Sequence, residues 1–443
     1  MLALIRNNWD TFNMHIHFLA IGGAGISPLA LMAKQAGFSV SGSDKQDSEN
    51  IQYLRQKGIT DIDLGDQQDF FNEMHQKLPI DWLVYSSAVS FEDPGNEVIA
   101  QAQKLNIKTS KRDQFINYLL EELNLKMVAI AGTHGKTTTT AIIVWVLKSL
   151  GLDISYLLAA KVDFAPMAEY NPSSTHLVYE ADEFDHNFLS FYPDYSLISG
   201  IGYDHHEIYP TFESYKEAFK TFITQSKNVF IWEEDYNLLS LNSKLRILDQ
   251  TNSDIDKIKL IGKYNRRDAY LVINAVHQLY PNYSLAKLNQ VVSLFPGLHR
   301  RMEQIIPNLY SDYAHTPEKI RAALNVASEM VQSTGQKIVV VYEPLTNRRQ
   351  KYIKEAYRSC FKEASKIYWI DSYLAREDPN ETILEPKELI TYLPHPELAQ
   401  PAHMDQALVD TIKQDLKDGQ MVLVLSGGGG NSLDSFIRNK FNP

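Results

Sequence analysis

The sequence predicts an α/β fold in three domains, and three observations carry that prediction. The 443 residues exceed what one ordinary core accommodates, since domains run to roughly 100–200 residues each. A strand, a glycine turn and an apolar-faced helix follow one another over His15–Ala36, which is a Rossmann-like opening. A second strand, loop and helix over Lys126–Leu150 carries Gly132-Thr133-His134-Gly135-Lys136-Thr137-Thr138, the parts of a phosphate-gripping loop. The expected architecture is an N-terminal Rossmann-like domain over 14–108, a central P-loop ATPase-type parallel-sheet domain over 109–296, and a C-terminal Rossmann-like domain over 297–443, arranged around a cleft.

Composition excludes several classes. With 44% hydrophobic and 22% charged residues the chain reads as a soluble globular protein. The single cysteine, Cys360, excludes an internal disulfide framework and suits a reducing cytoplasm, with a buried apolar thiol as its expected role. No apolar run approaches the roughly 18 residues of a membrane span. The formal net charge of −11 speaks against nucleic acid as a partner. Residues 1–13 lack a cleavage site and a long apolar core, so they read as a loose arm before Met14.

In the first domain His15–Ile21 is a strand, Gly22–Gly25 a turn, and Ile26–Ala36 a helix; the next strand starts at Phe38 and ends at Asp44. An acid about 20 residues past the glycines is where a ribose hydroxyl can be held. Ala20 replaces the first glycine of the dinucleotide pattern, leaving Gly22 and Gly25, so a generic nucleotide turn and a structural turn both stay open. Ser86 and Ser87 close the strand that includes Val84-Tyr85, where serines either face the glycine turn or cap a helix. The basic run Lys108–Arg112 marks the expected first boundary.

In the second domain Lys126–Ala131 is an apolar strand, and Thr138–Leu150 has helical spacing. The loop between them points amides at an anion, Lys136 can reach outer phosphates, and the Thr137 hydroxyl can ligate magnesium. Leu177–Glu180 is a strand running into Glu180, Asp182, Glu183 and Asp185, four carboxylates within six residues. Such crowding needs a cation or solvent, so a metal site and a hydrated turn both remain open. His205 follows in Tyr203-Asp204-His205-His206-Glu207.

The third domain opens at the Pro296-Gly297-Leu298 turn. His299-Arg300-Arg301-Met302-Glu303 can clamp a phosphate or form a surface ion pair. Ser311-Asp312-Tyr313-Ala314-His315-Thr316-Pro317 reads as a strand end presenting Asp312 and His315 before a helix started by proline. Ile338–Tyr342 is a buried strand running into Glu343-Pro344-Leu345-Thr346-Asn347-Arg348-Arg349. Asp371–Glu377 contains Arg376, and Val422–Leu425 leads into the glycine run after Ser426.

The compressed G-T-H-G-K-T-T-T loop resembles the ATP loop of the Mur ligases, which add amino acids to the peptidoglycan precursor. AIGGAGIS at 20–27 with SGSD at 41–44, EADEFD at 180–185, YDHHE at 203–207, GKYN at 262–265, the Arg300–Glu303 segment, SDYAHTP at 311–317 and the Arg348 and Arg376 segments extend the resemblance over nearly the whole chain after residue 14. It implies ATP and magnesium as cofactors. Lys136, Glu180, His205 and Arg348 are then catalytic, and Thr137, Glu180 and His205 hold metal. Gly132, Thr133, His134, Gly135, Lys136, Thr137, Thr138, Asn265, Arg301 and Asp312 bind the nucleotide. Gly22, Gly23, Gly25, Ser43, Asp44, Ser86, Ser87, His315, Arg348 and Arg376 bind substrate, the first seven of them in a UDP-sugar-binding domain. The implied reaction joins L-alanine or a small peptide to UDP-N-acetylmuramate through an acyl phosphate, in a cytoplasmic monomer or dimer.

Departures keep alternatives open. Phe184, where the alanine-adding branch has serine, and Asn347 resemble the branch that reattaches recycled tripeptide. Phe219 occupies the position at which other Mur ligases carry a carbamylated lysine, and both branches lack that lysine. Ala20, Gly200 (for asparagine) and Tyr264 (for histidine) allow a catalytically weakened nucleotide-binding homologue. Only 29 residues separate Trp232 from Gly262, so the central domain is expected to be trimmed.

Overall fold

The computed structural model describes residues 14–65, 67–205, 208–242, 245–374, 381–427 and 432–441. The arm 1–13 and Arg376 lie outside them. Two compact units divide the chain: Met1–Lys259 with Asn265–Pro296, and Leu260–Tyr264 with Gly297–Pro443.

The first unit holds two sheets. β1 (His15–Leu19), β2 (Ser39–Asp44), β3 (Ile62–Leu64), β4 (Trp82–Tyr85) and β5 (Lys108–Lys111) pair in the order β3-β2-β1-β4-β5, all parallel. Every residue of β1 is buried, as expected of a central parallel strand covered on both faces. The order reverses direction at β1, so the turn after its C-terminal end lies at the switch point where such sheets bind ligands. The helix Ser27–Gln35 leaves that turn with Pro28 in its first turn, where a missing N–H costs nothing. β5 runs across the expected 108/109 boundary, so the first sheet takes in residues through Lys111.

The second sheet contains β6 (Lys126–Ala131), β7 (Ser155–Leu157), β8 (Ala168–Glu169), β9 (His176–Glu180), β10 (Tyr195–Ile198), β11 (Asn228–Trp232) and β12 (Arg246–Leu248). Their order is β12-β11-β10-β6-β9-β7-β8, and only β8 runs antiparallel. β6 sits between β9 and β10, with Ile130 opposite Glu180 and Ala131 opposite Ile198. Three adjacent strand ends therefore deliver the phosphate loop, the acidic segment and the His205 segment side by side. One continuous apolar core, including Phe18, Phe115, Met127, Phe188 and Phe219, packs both sheets.

The second unit has one sheet: β13 (Glu303–Ile306), β14 (Leu309–Asp312), β15 (Ile338–Glu343), β16 (Ala364–Ile370), β17 (Ala399–Ala402) and β18 (Met421–Ser426), ordered β13-β14-β18-β15-β16-β17. β13 alone is antiparallel. β14, β18 and β15 end together, with Asp312 opposite Leu425 and Glu343 opposite Ser426. Cys360 is buried in this core, and burial pushes its thiol up to about 11.

Candidate active site

The loop after β6 needs its glycines. Gly132 and Gly135 take φ of +143° and +79°, a region that side chains rarely enter. A Cβ on Gly135 would stand 2.8 Å from Asp268 Oδ1, and one on Gly132 would stand 2.9 Å from the Gly200 carbonyl. Lys136 begins the following helix (Lys136–Ser149). Its Nζ donates to the Gly132 carbonyl at 2.7 Å and to Glu183 Oε2 at 2.6 Å, with Asp182 Oδ1 at 4.0 Å. Burial opposes its charge, but Glu183, Asp182 and Glu180 outweigh burial and hold the ammonium above its ordinary pKa. Thr138 follows Thr137 in the first turn of the helix.

Thr133 braces the loop against the segment after β10. Its N–H donates to the Gly200 carbonyl at 2.8 Å, its hydroxyl donates to the Gly202 carbonyl at 2.7 Å, and that hydroxyl accepts from Gly202 N at 2.9 Å. The Tyr215 hydroxyl lies 2.7 Å from Thr133 Oγ1 and donates to Glu183 Oε1 at 3.2 Å. The His134 carbonyl accepts from the Ser199 hydroxyl.

The carboxylates divide their work. Glu180 Oε1 accepts from the Thr137 hydroxyl at 3.2 Å. Glu183, almost fully buried, holds Lys136, while His205 Nε2 stands 3.7 Å from its Oε1. Asp182 accepts from Arg112 Nη2 at 3.0 Å, and Asp185 pairs with Lys111. Burial would raise the Asp182 pKa, yet Lys136, Arg112 and His205 bring it below the ordinary value. Among the described residues, the group whose ligand atoms all fall within 4.8 Å of one another is Asp182, Glu183 and His205. The sequence reading named Thr137, Glu180 and His205 instead; Thr137 and Glu180 form an adjacent pair. Asp185, His186 and His205 adopt left-handed φ of 53°, 58° and 53°, at about 1–2 kcal/mol each for residues with a Cβ. Such strain collects where function fixes the backbone.

At the end of β1, Gly23 N donates to the Ala20 carbonyl at 3.0 Å and Gly22 N to Asp44 Oδ2 at 2.8 Å. Ala20 takes φ +58°, which is why a glycine would be expected there. Ser43 is fully buried, with its hydroxyl 3.1 Å from His17 Nε2. It ends a chain in which Ser41 Oγ lies 2.7 Å from His15 Nε2 and 2.9 Å from His17 Nδ1. Ser86 precedes the helix Ser87–Glu92 without a side-chain cap bond, and Ser87 donates to Asn187 Oδ1 at 2.8 Å. A Cβ on Gly25 would collide with the Arg112 guanidinium. In the sequence Arg112 is only the last residue of the basic run Lys108–Arg112 at the expected boundary, and no local signal marks its contact with Asp182.

In the second unit, Asp312 accepts from Met302 N at 2.9 Å and Ala314 N at 2.8 Å, so its carboxylate shapes the turn that stacks Arg301 over Tyr313, 5.2 Å from the ring centre. His315 Nδ1 lies 2.7 Å from the Tyr313 carbonyl. Burial, reinforced by Lys319, Arg349 and Arg301, lowers its pKa to about 3 and keeps it neutral. Arg348 is exposed in the helix Asn347–Ile353.

Residues 15–122, 130–259 and 300–428 match, in order, the domains described as Mur ligase family catalytic domain, Mur ligase middle domain, and Mur ligase glutamate ligase domain. The UDP-N-acetylmuramate–L-alanine ligase of Caldicellulosiruptor saccharolyticus is 30% identical over 81% of this chain and 84% of its own. The chain belongs to the Mur ligase family. Its fold resembles the UDP-N-acetylmuramate-alanine ligase MurC of Thermotoga maritima, with a TM-score of 0.72 at 24% identity over 96% of this chain and 97% of that one. It also resembles a murein peptide ligase of Psychrobacter arcticus, with a TM-score of 0.59 at 21% identity over 97% and 99%.

Within this Mur ligase the departures acquire physical roles. Phe219 is a core residue, 5.1 Å from both Phe188 and Tyr215. Phe184 stands between His205 at 5.3 Å and Phe91 at 5.7 Å, an aromatic edge beside the acids. Asn347 is fully buried; it accepts from Leu384 N at 2.8 Å and donates to the Thr382 carbonyl at 3.0 Å, so it pins a loop. Gly200 supplies its carbonyl to Thr133, and a Cβ there would meet nothing within 4 Å. Asn265 lies three residues before Asp268 on one helix face, on the side that meets Gly135.

Proposed function

We propose that this Mur ligase joins L-alanine to UDP-N-acetylmuramate with cleavage of ATP to ADP and phosphate. The observation that carries the reading is Lys136 at the start of its helix, flanked within one unit by Glu180, Asp182, Glu183 and His205. A substrate carboxylate oxygen attacks the terminal phosphorus of ATP, the bond to ADP breaks, and an acyl phosphate forms. The amine nitrogen then attacks the acyl carbon, phosphate departs, and the nitrogen gives up its proton to solvent. Lys136 and the loop amides hold the transferring phosphate, and preorganised charge of this kind is the main catalytic contribution in phosphoryl transfer. The acids and His205 have the donor types and spacing for divalent cations, although magnesium favours oxygen. Magnesium bound there neutralises charge on the phosphates. Glu180 beside Thr137 and the Asp182, Glu183 and His205 group would hold it. The glycine turn with Asp44 receives the UDP portion, and in the second unit Arg301, Asp312, His315, Arg348 and Arg376 are the residues we assign to nucleotide and substrate binding. We place the domains at about the boundaries read from sequence, with β5 in the first, and the enzyme in the cytoplasm. No helix among the described residues is long and apolar enough to cross a membrane.

Phe184 supports a second reading, in which the amine belongs to L-alanyl-γ-D-glutamyl-meso-diaminopimelate, because an aromatic edge beside the acids favours a larger acceptor. Asn347 lends that reading less support, since it pins a loop from a buried position. A competition assay decides: with both acceptors present, mass spectrometry is expected to show the alanine adduct in excess. A tripeptide adduct in excess would establish the second reading.

A further inference from the structure

Lys111 ends β5, and Arg112 and Asp113 open the next helix; Lys111 and Arg112 tie to the acidic segment at Asp185 and Asp182, and Asp113 accepts from Ser190 just beyond it. Arg112 also lies against the other nucleotide site. Its side chain is 13% exposed. Nη2 is held by Asp182 at 3.0 Å, Nη1 overlies Gly25, and the buried Nε has no hydrogen-bond partner. Asp182 in turn lies 4.0 Å from Lys136. A line of alternating charge thus joins the glycine turn to the phosphate loop through one guanidinium and one carboxylate.

We propose that Arg112 couples occupancy of the two nucleotide sites. The inference rests on the reading above that a nucleoside diphosphate group seats on the Gly22–Gly25 turn. A diphosphate there meets Nη1 first, and the planar fork that phosphate accepts is completed only by Nη2, the nitrogen that Asp182 holds. The guanidinium cannot serve that anion and keep its full pairing with Asp182. As Arg112 turns to the diphosphate, Asp182 loses one of its two cations and its charge becomes available to Lys136 and to a divalent cation. Each nucleotide then tightens the other, and by linkage the factor is the same in both directions. Arg112 acts through Asp182, so it is a positioning residue for the ATP side.

The test is calorimetric titration of the full chain with UDP, alone and with magnesium and a non-hydrolysable ATP analogue present. In the wild type the analogue is expected to tighten UDP by about 5-fold or more, within the usual range of coupling between sites. Arg112→Gln should weaken UDP by about tenfold and bring the coupling factor to about 1, while Arg112→Lys, keeping charge without the fork, falls between. Asp182→Asn should move UDP the other way, tightening it when measured alone, because the guanidinium is released; coupling is again lost. A merely structural salt bridge would weaken UDP in both variants, and that result overturns the proposal. It is also overturned if the wild type binds UDP and the analogue independently, an outcome that leaves the ligase reading standing. A wild type that binds the analogue but neither UDP nor the sugar nucleotide overturns both. Should Arg112→Gln fail to fold, the sign of the Asp182→Asn effect alone decides.

Discussion

Replacing Asp235 with asparagine should remove a pH-dependent weakness beneath the phosphate loop. Asp235, in the helix Glu233–Leu238, is 3% exposed. Its Oδ1 accepts from Ile201 N at 3.1 Å, while Oδ2 is buried without a partner. Ile201 lies between Gly200 and Gly202, both of which bond Thr133. Burial pushes the carboxyl up to about 7, reinforced by Glu234, while the Ile201 bond and Arg267 oppose it. The folded state therefore binds this proton more tightly than the unfolded chain, whose value is near 3.8. The contribution is fully present below 3.8, falls as pH rises toward 7, and is flat above. At about 1.4 kcal/mol per pH unit the swing reaches at most ~4 kcal/mol. An asparagine does not titrate, but it leaves an unpaired amide costing about 1–3 kcal/mol. The variant should therefore be about 1–3 kcal/mol more stable at pH 8 and equal or slightly weaker at pH 4.5. Urea unfolding followed by tryptophan fluorescence at pH 4.5, 6, 7 and 8 measures the difference. Curves for the two proteins that stay parallel across this range would refute the buried-charge argument.

Lys136→Ala should reduce amine-dependent phosphate release by about a hundredfold or more, as loss of such a stabiliser does; a variant keeping a tenth of wild-type turnover would remove Lys136 from the mechanism. Ala20→Gly should stabilise the first unit by about 0.5–1 kcal/mol, because relief of the left-handed Cβ exceeds the added entropy of glycine, and a lower denaturation midpoint would contradict the φ of +58°. Added bicarbonate should leave turnover unchanged, since buried Phe219 cannot form a carbamate. His205→Ala should raise the magnesium concentration needed for half-maximal rate while UDP affinity holds; an unchanged magnesium titration would remove His205 from the metal site.

What the sequence disclosed was what it stores locally. The phosphate motif is eight contiguous residues running from a strand end into a helix, and the acids crowd into one turn, so both were readable without a fold. The division of labour among those acids was not. Glu183 grips Lys136 while Glu180 meets the Thr137 hydroxyl, because β9 ends beside β6 and brings the acidic turn onto the loop. Arg112 was hidden for the same reason: its partner Asp182 is 70 residues away, and Gly25 is further still. Ser43 matched a substrate motif, yet strand alternation turned it inward onto His17. Buried acids such as Asp235 and Asp268 carry no local signal, because only packing removes their solvent.

The most direct test of the account follows oxygen. UDP-N-acetylmuramate labelled with oxygen-18 in its carboxylate is incubated with ATP, magnesium, L-alanine and the enzyme, and the released phosphate is weighed by mass spectrometry. Transfer through an acyl phosphate predicts one labelled oxygen per phosphate, with release requiring both the sugar nucleotide and the amine. Unlabelled phosphate, or ATP turnover indifferent to either substrate, would contradict it.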